Sequence, residues 1–128
     1  MAKGIIIRDA HFPGRAQIDT YGNGGFRFAD MSHKGSLMLL PSGIHGWDIN
    51  EGDVLTVASL QRVLDQAAEI EFLLVGTGKD LVRIPSDVKD ALRAVGIGSD
   101  PMSTGAAVRT YNVMLAEERA VAAVLMAV

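Results

Sequence analysis

Glu71 to Asp80, reading Glu-Phe-Leu-Leu-Val-Gly-Thr-Gly-Lys-Asp, constrains the fold more than any other stretch of the chain. Phe72 to Val75 form an unbroken apolar run with a β-branched end, cut off by Gly76-Thr77-Gly78. Such a run reads as a short strand buried on both faces, of the kind found where helices cover a sheet on either side. Glycines at both ends of the following loop leave its backbone free to take φ > 0 and to approach another group closely. In α/β proteins the loop leaving a buried strand is the usual location of a working site. A fold class and a candidate site follow from this stretch, but no reaction.

At 128 residues the chain matches the size of one ordinary domain, and a single domain over residues 1–128 is the expectation. Its 48% hydrophobic and 21% charged content is globular, while fourteen glycines and few aromatics point to tight turns around an aliphatic core. A formal charge of -3, with both signs dispersed, argues against a nucleic-acid surface, which needs a basic stripe. With no cysteine there is no disulfide, thiolate nucleophile or sulfur-based zinc site. The start, Met-Ala-Lys-Gly-Ile-Ile-Ile-Arg-Asp, has too short an apolar run for a signal peptide, and Ala120 to Val128 is too short for a membrane-spanning helix. A soluble, cytoplasmic protein with no membrane span is expected.

Residues 1–58 read as β-rich. Ile5-Ile6-Ile7 predicts a first strand and His11-Phe12-Pro13-Gly14 a turn. Ile18 to Tyr21 and Phe26 to Phe28 flank Gly22-Asn23-Gly24-Gly25, a hairpin signal. Ser36 to Leu40 is a further strand closed by Pro41-Ser42-Gly43, and Ile44 to Trp47 a short extended piece. From Thr56 the period changes: Val57, Leu60, Val63, Leu64 and Ala67 recur at helical spacing, so Thr56 is expected to cap a helix ending near Ala68. Pro85-Ser86-Asp87 starts a second helix with Val88, Leu92 and Val95 inside and Gly96 at its close. Ile97 to Met102 is extended, after which Ser103 or Thr104 caps a third helix facing inward with Val108, Tyr111 and Leu115. Val121, Val124, Leu125 and Val128 fit either a continuing helix, which periodicity slightly favours, or a buried strand.

Gly76-Thr77-Gly78-Lys79 invites comparison with a phosphate-binding loop. The spacing fails: Leu73 stands where the first Walker glycine belongs, Asp80 replaces the magnesium-binding hydroxyl, and Leu81 takes the place of the third dinucleotide-fingerprint glycine. A structural turn, a small-anion site and a docking point for a partner's chain stay open. In Met102 to Asn112, the small residues Gly105, Ala106 and Ala107 allow close approach to a helix N-terminus, with Arg109 and Asn112 as neighbours on one face. That pair suits a carboxylate, or else Arg109 makes a structural ion pair. Trp47, the only tryptophan, is either a core anchor or a pocket wall. His11, His33 and His45 show no metal-ligand spacing, no nucleophile elbow occurs, and Glu117-Glu118 reads as a solvated helix end, so no catalytic or metal residue is assigned.

Val-Gly-Thr-Gly at 75 to 78, Met-Ser-Thr-Gly-Ala-Ala-Val-Arg-Thr-Tyr-Asn at 102 to 112, Glu-Glu-Arg at 117 to 119, Leu-Leu-Pro-Ser-Gly at 39 to 43 and Trp47 together resemble the domain-of-unknown-function family that includes the mitochondrial complex I assembly factor. The resemblance covers nearly the whole chain. It implies an α/β fold of three layers, a central mixed sheet flanked by helices with an additional small β-layer, in which Arg119 to Val128 returns as a strand; that reading is adopted over the periodicity. The family's usual glycine at the turn is Glu118 here, which puts its left-handed geometry in question, and its usual aspartate is Ser103, an equivalent cap. The implied function is a non-catalytic binding or assembly protein without a cofactor. Its partners would be respiratory-complex or membrane-protein assembly components. The recognition cleft expected for it comprises Trp47, Gly76, Thr77, Gly78, Thr104, Arg109 and Asn112. The alternative is an enzyme or sensor holding a small anion at the Gly-Thr-Gly loop and Arg109, and apolar surface on the β-layer leaves a homodimer open.

Overall fold

The computed structural model describes residues 11–128, so the strand expected at Ile5-Ile6-Ile7 lies outside the described residues. In chain order the strands are β1 (His11–Phe12), β2 (Thr20–Gly22), β3 (Gly25–Phe28), β4 (Met31–Lys34), β5 (Ser36–Leu40), β6 (Gly43–Trp47), β7 (Phe72–Gly76), β8 (Gly98–Met102) and β9 (Val121–Leu125). The helices are α1 (Gln61–Asp65), α2 (Ser86–Ala94) and α3 (Thr104–Ala116). Six strands form a mixed sheet in the order β1-β6-β5-β9-β7-β8, and β2-β3-β4 form a small antiparallel sheet. Within the large sheet β7 runs parallel to β8 and β9, while β9, β5, β6 and β1 pair antiparallel in succession.

Side-chain alternation along the buried strands divides the core into two. Met38, Leu73, Val75 and Val124 point to one face, where they meet Leu60, Val63, Val88 and Leu92 from the helical segments around α1 and α2. Leu37, Leu39, Leu74 and Leu125 point to the other, against Val108 and Tyr111 of α3 and Phe26 and Phe28 of the small sheet. Each fully buried leucine contributes about 2 kcal/mol of transfer free energy. Burial along the whole of β5 and β9 explains why their sequences are apolar runs without alternation. The α/β class and its three layers follow from this arrangement.

Two helix ends turn the chain by one mechanism. At α2 the Gly96 N–H donates to Arg93 O and the Ile97 N–H to Leu92 O, both at 3.0 Å, with Gly96 at φ +82°. At α3 the Glu118 N–H donates to Leu115 O at 2.9 Å and the Arg119 N–H to Met114 O at 3.0 Å, with Glu118 at φ +58°. Both are Schellman closures, so Glu118 adopts the left-handed conformation without glycine's freedom, and β9 follows as a strand.

Four expectations need correction. The helix over 56–68 is broken into a 3-10 turn (Ala58–Leu60), α1 and a second 3-10 turn (Ala67–Glu69). Leu60, closing the first 3-10 turn, and Val63 of α1 are both buried in the core. Thr56 does cap its start, accepting the Ser59 N–H on Oγ1 while Ser59 Oγ accepts the Thr56 N–H, each at 3.1 Å. Val95 is exposed, because α2 has ended by then. His11 and Phe12 pair with His45 and Ile44 as an edge strand, and the turn comes after them, with the Gly14 N–H on Phe12 O at 2.9 Å. Finally, β4 was not anticipated: its loop, Ala29-Asp30, has both residues at positive φ without a glycine, and Met-Ser-His-Lys carries no strand period.

Candidate functional site

Because β7, β8 and β9 are parallel, their carboxyl ends lie at one end of the large sheet, with Gly76 level with both Met102 and Leu125. Helix α3 begins there, capped by Ser103, whose Oγ accepts the Ala106 N–H at 3.3 Å. A side chain on Gly76 would stand 3.1 Å from Thr104 Cα and 3.0 Å from Leu125 Cδ2, so the glycine lets the helix start press against the strand.

The loop and the helix start are stitched together. Thr104 donates its N–H to Gly78 O at 2.8 Å, and its Oγ1 accepts the Gly78 N–H at 3.0 Å while donating to Met126 O at 2.7 Å. Thr104 is 0% exposed, so this hydroxyl joins β7, α3 and the segment after β9 from inside the protein. The Thr77 hydroxyl donates to Asp80 O at 2.6 Å and accepts the Val82 N–H at 2.9 Å, which folds the loop back on itself. Glu51, from the turn after β6, lies over Gly78 and accepts the Lys79 N–H on Oε2 at 2.7 Å. The N–H groups of Thr77, Gly78, Lys79 and Val82 are therefore all directed at acceptors of this chain, Thr77's being Met102 O at 2.9 Å.

Of the expected site residues, Gly76, Thr77, Gly78 and Thr104 come together. Arg109 is exposed one turn further along α3, without a hydrogen bond or ion pair among the described residues. Its Nη1 is 3.6 Å from the position of a side chain on Gly105, whose absence makes room for the Tyr21 hydroxyl of the small sheet. Asn112 is engaged within the fold: Oδ1 accepts the Ile18 N–H and Nδ2 donates to Ile18 O, both at 2.9 Å, fixing the entry to β2 against α3. Trp47 is a buried anchor whose Nε1 donates to Ser59 O at 2.9 Å; it borders a separate hollow with Asp48, Thr56 and Arg62.

Beside Thr77, on the α1 and α2 side of the sheet, a cleft of about 270 Å³ opens between residues 52–55 and 82–85. Val54, Leu55, Val82, Ile84, Pro85 and Met126 are its apolar lining, and Asp53 and Arg83 add one charge of each sign. Val54, Leu81 and Val82 are 75%, 63% and 58% exposed. Sequence reasoning missed this cleft. The available signal was Val54 and Val82, apolar side chains in connecting segments that have no helical or strand period. Among the described residues no cluster of three potential metal ligands occurs, and no helix is long and apolar enough to cross a membrane.

This architecture is shared. A crystal structure described as that of an outer membrane protein from Bartonella henselae is 60% identical, with a TM-score of 0.88, covering 91% of this chain and 98% of that one. An uncharacterized protein of Rhodobacter capsulatus is 35% identical over 93% of this chain and 90% of its own length. NADH dehydrogenase [ubiquinone] 1 alpha subcomplex assembly factor 3 of Mus musculus is 29% identical over 95% of this chain and 66% of its own length. The chain thus spans less than two thirds of that assembly factor. Residues 18–126 match the family described as a protein of unknown function (DUF498/DUF598), and the chain belongs to that family.

Proposed function

We propose that this chain is a cytoplasmic binding protein that assists assembly of a respiratory or other membrane complex through a protein partner, with no catalytic step of its own. The observation that carries the reading is a contrast at one end of the sheet. Polar atoms of the Gly76–Gly78 loop and Thr104 are engaged within the chain, while Val54 and Val82 of the cleft next to them are exposed to solvent. Exposed apolar side chains grouped around a hollow mark a surface that another protein covers. Thr77 forms part of its wall, and Gly76, Gly78 and Thr104 hold the loop that carries Thr77 in place. The name of the mouse relative, an assembly factor for NADH dehydrogenase, supports the same choice. The test is affinity purification of the tagged chain from cells, with subunits of NADH:ubiquinone oxidoreductase identified by mass spectrometry. Their recovery with the wild-type chain, and their loss with a Val82→Asp variant that melts normally, is the expected result. Equal recovery with both would refute the reading.

A second reading, an enzyme or sensor for a small anionic ligand, is favoured by Arg109 alone, a cation without a partner among the described residues beside the first turn of α3. A thermal-shift screen of phosphates, carboxylates and nucleotides decides it. A rise in melting temperature that Arg109→Ala abolishes supports this second reading, and no rise with any of them counts against it.

A further inference from the structure

Resting on the assembly reading, we infer that residues 50–54 form a strap beside the cleft and that Glu51 is its latch. While the Glu51 carboxylate holds the Lys79 N–H the cleft stays narrow. When it lets go, the strap lifts and bares the buried floor to the partner protein.

The strap runs between two anchors. Leu55 belongs to the core on the α1 and α2 side and Ile49 packs against it, whereas every residue from Asn50 to Val54 is exposed. Its tip is braced within itself: the Asp53 N–H donates to Asn50 O at 2.9 Å and the Asn50 N–H to Asp53 Oδ2 at 2.7 Å. Those bonds make the tip move as one piece. Among the described residues a single hydrogen bond ties these five residues to the rest of the chain, from the Lys79 N–H to Glu51 Oε2 at 2.7 Å, and no salt bridge supports it. A segment with no buried side chain and one solvent-exposed tether opens locally at far lower cost than the fold unfolds. The ground beneath it is fixed, because the Gly78 N–H and C=O are both held by Thr104 inside the protein. Gly78 is part of the device: a side chain there would stand 2.5 Å from Glu51 Oε2, so its absence lets the carboxylate lie on the loop. The cleft holds two kinds of surface. Val54 and Val82 are largely exposed, while Leu55, Ile84 and Met126 are 7%, 5% and 5% exposed. With the strap down a partner meets the first pair, and lifting the strap adds the second group. An apolar floor covered in the major state and bared in a minor one is a gated pocket, whose open form the partner selects.

The chain has no cysteine, so a single introduced thiol reports on one place. Met126→Cys places it in the floor of the cleft, with Ile84→Cys as a second reporter, and Val63→Cys places it at a 0% exposed position of α1 that senses general loosening. Maleimide labelling rates are compared with Glu51 intact and with Glu51→Ala added. Loss of the charged hydrogen bond is expected to speed labelling of the two cleft reporters about tenfold and to leave position 63 unchanged. Glu51→Gln should fall between, since its amide oxygen can still accept the Lys79 N–H. In cells, Glu51→Ala should raise the recovery of respiratory-complex subunits with the tagged chain. Unchanged labelling of the cleft reporters, an equal acceleration at position 63, or recovery that fails to rise above a positive wild-type level would overturn the inference. If the wild-type chain itself recovers none of those subunits, the assembly reading falls, and the labelling rates still decide the latch.

Discussion

The glycine loop with the start of α3, and the cleft a few residues away, teach opposite lessons about what a recognisable sequence does. Gly76-Thr77-Gly78 and Ser103-Thr104 are the most motif-like parts of the chain, yet their donors and acceptors close on one another and hold three segments of the fold together. Val54, Val82 and Arg83 belong to no motif, and they are the groups left facing outward. Conspicuous residues build the frame, and plain ones stand on its rim.

If that division holds, the largest effect on stability comes from the frame. Thr104→Val keeps the shape but removes the hydroxyl between Gly78 and Met126, leaving a buried N–H and C=O short of a partner, at a cost of about 3 kcal/mol. Urea unfolding measures it, and a loss below about 0.5 kcal/mol, the range of ordinary surface changes, would break the comparison. Next come the two helix ends. Glu118→Gly should stabilise by roughly 0.5–1 kcal/mol through relief of the left-handed strain, and Gly96→Ala should destabilise by a similar amount. Equal melting temperatures for all three chains would show that Glu118 carries no strain. On the cleft, Val82→Asp should change stability by no more than about 0.5 kcal/mol, because that side chain is already mostly in water. The same urea series checks it.

The smallest effect concerns pH. Burial pushes the Tyr111 phenol above its ordinary value, with the Arg15 charge pulling it partly back. An acid whose folded value is raised keeps its proton longer in the folded state. Its contribution is full below the unfolded value of about 10 and is lost as pH rises from there through the folded value. Tyr111→Phe should therefore flatten the decline in stability above that pH, as read by unfolding curves across alkaline buffers. A decline that runs parallel in both proteins would exclude the tyrosine as its source.

How much of this was legible depends on whether a local rule decided the structure. The Asn23-Gly24 turn, the buried run before Gly76 and the Gly96 closure each follow from the residues that make them. The Ala29-Asp30 turn did not announce itself, because neither residue is a glycine although both take a left-handed backbone, and Glu118 showed only through the resemblance, since its φ is set by the helix-end hydrogen bonds and not by its own preference. The expected meeting of the glycine loop with the start of α3 is found, but the outcome at each side chain depends on partners far away in sequence. Asn112 is taken by Ile18, Trp47 by Ser59 and Gly78 by Glu51. No spacing rule reaches that far. The cleft was illegible for a related reason: its walls come from two connecting segments whose proximity only the folded sheet creates.

Site-specific photo-crosslinking in cells separates frame from rim most directly, with the reactive group placed at position 82 in one chain and at position 109 in another. Crosslinks from position 82 to a subunit or assembly component of a respiratory complex, and none from position 109, are the expected result. Crosslinks to such a protein from position 109, with position 82 silent, would contradict it.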